Sequence, residues 1–93
     1  MKEIIYFYLN NCPYCHKADK MMSELIDENP EFADIKINKI EERKNPEIAN
    51  SYNYFYVPSL WIDDTKLLEG VPTKEKIHKV FEIALEDNYD KQA

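Results

Sequence analysis

The chain has 93 residues, 44% of them hydrophobic and 13% aromatic, which argues against a disordered polypeptide and for one folded domain spanning residues 1–93. Its formal net charge of −6 argues against non-specific nucleic-acid binding, which rests on phosphate neutralisation by Lys and Arg, and no nucleic-acid partner is expected. Only two cysteines occur, both in one short motif, so a reactive or metal-binding pair is expected rather than a disulfide framework.

Residues 4–9 form a continuous apolar run rich in β-branched and aromatic side chains, the pattern of a central strand buried on both faces. The run is shorter than the roughly 7–15 residues of a signal-peptide core, and no run approaches the roughly 18 residues of a membrane span. A cytoplasmic setting and no membrane contact are the expectation. From Pro13 the pattern becomes helical, with Cys15, Ala18, Met22, Leu25 and Ile26 on one face. Pro13 suits the first helical position, and Asn29-Pro30 should end the helix near Glu28.

Residues 33–40 read as a second strand, with Ile35 and Ile37 alternating against Lys36 and Asn38, followed by a charged loop over 41–44. Asn45-Pro46-Glu47 reads as a helix start with Asn45 as N-cap and with Ile48, Ala49 and Tyr52 as the buried face. An aromatic loop over 53–56 leads to Val57-Pro58. Residues 59–62 and 66–69 read as two strands joined by a turn at 63–65, hence an antiparallel hairpin. Gly70 breaks the pattern. Thr73 should cap a last helix whose apolar face is Ile77, Val80, Phe81, Ala84 and Leu85, and residues 88–93 should fray. The order is β-α-β-α-β-β-α, without internal repeat or linker.

The chemistry concentrates in Asn11-Cys12-Pro13-Tyr14-Cys15-His16, at the junction of the first strand and first helix. Two cysteines at this spacing serve zinc sites and redox sites alike. Zinc usually takes four protein ligands, and only His16 and His78 could join the pair. Cys12 should occupy the helix N-cap, where unpaired N–H groups and the positive end of the helix dipole favour an anion. That makes Cys12 the attacking thiolate. Cys15, one turn on and better buried, would resolve the mixed disulfide. Tyr14 should stand at the exposed tip of the motif, and His16 should be a neutral surface residue. Lys17, Arg43 and Lys44 are the cations available to a substrate carboxylate. Of Tyr52, Tyr54, Phe55 and Tyr56, one or two should enter the core and the others line a substrate groove or a dimer contact. Trp61 and the Met21-Met22 pair read as core.

At these residues the chain resembles the thioredoxin-fold oxidoreductases, most closely glutaredoxin. Cys12-Pro13-Tyr14-Cys15 is identical to the dithiol glutaredoxin motif, and Val57-Pro58 looks like the family's cis-proline dipeptide, with Tyr56 where many glutaredoxins carry Thr. Ala49, Tyr52 and the spacing to Pro58 look equally like thioredoxin. Thioredoxin's Trp before the first cysteine is Asn11 here, and its buried acid six residues before that cysteine is Tyr6. The glutaredoxin Lys that holds a glutathione carboxylate is replaced by Asn10 and Asn11. The Gly-Gly-Asp that holds the γ-glutamyl end is reduced to Gly70, with Thr73 near the acid's place.

The resemblance implies an α/β thioredoxin fold, a four-stranded mixed sheet flanked by three helices. It implies a glutathione-dependent thiol–disulfide oxidoreductase with Cys12 and Cys15 as catalytic thiols and Pro13, Tyr14, Tyr56, Val57, Pro58, Gly70 and Thr73 around the substrate. No cofactor would be bound; glutathione would be the cosubstrate, and glutathionylated or disulfide-containing proteins the partners of a monomer, with a dimer as the alternative. Two other readings use the same thiols: a thioredoxin-like protein disulfide reductase recharged by a flavin reductase, and an iron–sulfur cluster-binding module.

Overall fold

The computed structural model describes residues 1–86; the fraying expected of residues 88–93 lies outside the described residues. Side-chain alternation along β1 (Ile4–Tyr8) divides the molecule in two. Ile4, Tyr6 and Tyr8 turn to one side of the sheet, and Ile5 and Phe7 to the other. β1 pairs in parallel with β2 (Ile37–Glu41) and antiparallel with β3 (Ser59–Ile62). β3 pairs antiparallel with β4 (Thr65–Glu69), giving the strand order β2-β1-β3-β4.

On the first face, Ile4 and Tyr6 join Ala18, Met22 and Leu25 of α1 (Pro13–Glu28) with Ile77, Val80, Phe81 and Ala84 of α3 (Lys74–Leu85) in one buried cluster. The helices supply those residues because their apolar positions recur at three and four, as the sequence predicts. On the other face, Phe7, Ile40 and Trp61 are covered by Ala49 of α2 (Pro46–Asn50) and by Tyr52, Tyr54 and Val57. This is a thioredoxin fold, a mixed four-stranded sheet between helices.

Four local expectations are corrected. The strand predicted over 33–40 begins only at Ile37, because Pro30–Asp34 forms a short 3-10 turn. The buried Phe32 ring anchors that turn on α3, 5.1 Å from the Phe81 ring, and holds residues 33 and 34 out of the sheet. Glu41, predicted as loop, ends β2 and is buried; its carboxylate accepts the Arg43 and Lys44 N–H groups, which satisfies the charge. Asn45 does not cap α2 with its side chain, since its amide turns back to donate to the Glu41 carbonyl at 3.1 Å. With five residues, α2 is too short to bury a stripe, and Ile48 stays exposed. Thr73 does cap α3, its hydroxyl accepting the Lys76 N–H at 3.1 Å.

Candidate active site

A short turn at Asn10 and Asn11 carries the chain from the C-terminal end of β1 into α1, and Cys12 is the residue at which the extended backbone turns helical (φ −103°, ψ 112°). Its sulfur caps the helix, accepting the Cys15 N–H at 3.1 Å. No acidic residue lies in the first turn of α1, so nothing there opposes the positive end of the helix dipole. Across the site, the Val57–Pro58 peptide is cis, and the Val57 carbonyl oxygen lies 3.8 Å from the Cys12 sulfur. The Val57 N–H has no partner among the described residues. A half-exposed sulfur therefore stands beside a residue whose backbone N–H is left unpaired among the described residues.

Cys15 differs in every respect. It is 1% exposed, and burial first, then the neighbouring Cys12, pushes its thiol up to about 12. Below it, the Tyr6 hydroxyl donates to the Cys15 carbonyl at 3.0 Å. Burial, reinforced by the Asp19 carboxylate, drives Tyr6 ionisation far above the usual range, so the hydroxyl remains a donor. Asp19 in turn pairs with Lys39 at 3.4 Å, and Lys39 lies over the Tyr8 ring at 4.7 Å. Sequence reasoning passed over Asp19, although its position four residues after Cys15 on one helix places it on the same face.

These inequalities set a chemical test. A thiol titrating near 12 is ionised to only about one part in 10⁵ at pH 7. Iodoacetamide at pH 7 should therefore add once, at Cys12, and adduct formation at Cys15 should rise about tenfold per pH unit up to about 12. Peptide mapping by mass spectrometry reads both rates; equal labelling of the two cysteines at pH 7 would contradict the arrangement.

Most of the remaining predicted residues have partners of their own. Pro13 is the exposed first residue of α1, and Tyr14 is exposed beside it with the Lys17 ammonium 5.6 Å from its ring centre. His16 donates from Nε2 to the Asn10 carbonyl at 2.8 Å, which makes it part of the turn into the helix. Gly70 adopts φ +84°, a conformation side chains disfavour, and so can donate its N–H to the Pro58 carbonyl at 2.9 Å. A methyl group at Gly70 would meet the Tyr56 Cβ at 3.8 Å, so these two positions adjoin. Thr73 is engaged as the α3 cap.

The aromatic loop divides as anticipated. Tyr52 packs 4.9 Å from Phe7 and 5.0 Å from Trp61, and Tyr54 stacks on Phe7 at 4.8 Å. Phe55 and Tyr56 project outward instead. Sequence reasoning also missed Glu69, whose carboxylate holds the loop at Phe55 and Tyr56. Its acidity is strengthened to about 2 by Lys66 first and by those two N–H groups. No signal in the sequence pairs a β4 side chain with a loop 14 residues upstream.

Residues 3–82 match the family model described as the thioredoxin domain. The chain belongs to the thioredoxin-domain family. It is 30% identical over 66 residues to a thioredoxin from Methanocaldococcus jannaschii, covering 71% of this chain and 75% of that protein. Among solved structures, a thioredoxin-like protein from Clostridium perfringens is 24% identical with a TM-score of 0.69, covering 90% of this chain and 71% of that one. A single-site variant of thioredoxin from Halobacterium salinarum shares the fold at 20% identity and a TM-score of 0.65, covering 87% of this chain and 72% of that one. In this thioredoxin domain the cysteine pair opens α1, with the Tyr6 hydroxyl bonded to the Cys15 carbonyl and Asp19 close to Tyr6.

Proposed function

We propose that the protein reduces protein disulfides through Cys12 and Cys15. The observation that carries this is the Cys12 sulfur, capping α1 and facing the Val57 carbonyl, beside a Val57 N–H that has no partner among the described residues. A substrate segment carrying one half of a disulfide can pair with Val57 and present its sulfur to Cys12. The Cys12 thiolate attacks that sulfur, the substrate S–S bond breaks, and the second substrate sulfur leaves as a thiolate. Formation of the mixed disulfide removes the Cys12 influence that helps hold the Cys15 proton, and the departing thiolate is a base able to take it. The Cys15 sulfur then attacks Cys12, the mixed disulfide breaks, and the substrate is released as a dithiol with a Cys12–Cys15 disulfide left behind. The two electrons come from the dithiol, so no bound cofactor is required, and an external thiol or flavin reductase resets it.

Glutathione-dependent reduction is the second reading, favoured by the Cys12-Pro13-Tyr14-Cys15 sequence. In that reading glutathione is cosubstrate, glutathionylated proteins are partners, and Lys17, beside Tyr14 in the first turns of the motif helix, is the cation offered to a carboxylate. Against it, the Gly70 N–H and the Thr73 hydroxyl, which the resemblance would assign to the γ-glutamyl end, already have internal partners. Two assays separate the readings: glutathione-coupled reduction of a small glutathione mixed disulfide, and flavin-reductase-coupled reduction of a protein disulfide. Activity only in the second supports the proposal. Activity in the first that survives Cys15→Ser replaces it with the glutathione reading.

A further inference from the structure

Glu69, the last residue of β4, turns its carboxylate onto the loop that leads into Pro58. One oxygen accepts the Phe55 and Tyr56 N–H groups at 2.5 and 3.0 Å, and the other accepts Lys66 Nζ at 2.7 Å. Lys66 also reaches the Asn53 carbonyl at 3.3 Å, so β4 holds the loop at Asn53, Phe55 and Tyr56. On that fixed backbone the Phe55 and Tyr56 side chains are 83% and 69% exposed. Folding gains nothing from two large rings left in water, and a loop already ordered loses little entropy on binding.

The same bonds discriminate between ligands. Two adjacent N–H groups at a loop would attract a carboxylate, but here the chain's own carboxylate, paired with Lys66, fills them and leaves neither for an anion. What remains on offer is the two exposed rings, which immediately precede Val57, whose carbonyl lies beside the Cys12 sulfur. We infer that Phe55 and Tyr56, held by Glu69, form a docking surface for apolar side chains flanking the cysteine of an extended protein substrate. Glu69 is then a positioning residue that sets substrate choice. The inference rests on the disulfide-reductase reading above.

The test compares two oxidised peptides of equal length, one with leucine and phenylalanine beside its disulfide and one with serine. Wild type should prefer the apolar peptide about tenfold in kcat/KM, expressed in KM, the size expected of one or two aromatic anchors. Phe55→Ser should reduce that preference to about threefold or less. Glu69→Ala should do the same with both rings present, leaving kcat within about twofold, whereas Glu69→Gln, whose amide oxygen still accepts the loop N–H groups, should retain part of it. Melting curves identify any variant that loses its fold, and Phe55→Ser, an exposed site, keeps the question answerable if the Glu69 variants do not fold. Equal KM for the two peptides in wild type, or full preference in Glu69→Ala or Phe55→Ser, overturns the docking surface alone. Reduction of neither peptide by wild type overturns the reductase reading beneath it.

Discussion

Cys12→Ser should abolish disulfide reduction, lowering the rate on the order of a thousandfold or more, because the attacking atom itself is removed. The substitution is otherwise mild. A serine hydroxyl is a good N-cap and can accept the Cys15 N–H as the sulfur does, so α1 keeps its start and the melting temperature should move by only a few degrees. Cys15 cannot take over the attack, being 1% exposed with its thiol pushed up to about 12. The single-turnover rate against a peptide disulfide, measured beside a melting curve, checks both halves. A residual rate within tenfold of wild type would mean that the nucleophile is misassigned. Cys15→Ser should behave differently, still attacking once and then accumulating a mixed disulfide at Cys12 that mass spectrometry can weigh.

Phe7→Ala should have the largest effect on stability. Phe7 is fully buried on the central strand and supports the rings of Tyr52 and Tyr54 at 4.9 and 4.8 Å. Truncating a buried phenylalanine typically costs about 3–5 kcal/mol, the lost transfer energy plus the cavity left behind. Domains of this size have only about 5–15 kcal/mol in total, so the melting temperature should fall on the order of 15 °C or more. The loss should reach the active site, because Tyr52 and Tyr54 begin the segment that ends at Val57 and Pro58. Phe55→Ala is the contrasting case: its ring is exposed, and stability should change by no more than about 0.5 kcal/mol. Denaturant unfolding of the two variants reads the difference. Similar losses at both positions would mean that the loop, and not the Phe7 face of the sheet, carries the packing.

Periodicity explains why α1, α3 and the β3–β4 hairpin were legible in the sequence. Each buries a stripe long enough for its spacing to stand above chance, and Pro13, Thr73 and Gly70 mark their ends with backbone chemistry that few other residues supply. The region between Asn29 and Val57 was less legible because its structure depends on distant partners. Phe32 forms its turn against Phe81, Glu41 is buried only because the loop behind it supplies two N–H groups, and Asn45 finds a carbonyl more favourable than its own helix start. None of these partners can be read from a local pattern.

The same division holds at the site. The sequence by itself determined that two thiols lie at a strand-to-helix junction, with the first at a helix N-cap, because residue spacing and proline geometry are local properties of the chain. Only the tertiary structure decided what surrounds them. It brought Val57 from 45 residues away to the Cys12 sulfur, set Tyr6 and Asp19 beneath Cys15, and turned Glu69 from β4 onto the aromatic loop. Those contacts join residues whose separation along the chain carries no periodic signal, and they form only when the sheet order β2-β1-β3-β4 brings the ends of its strands together.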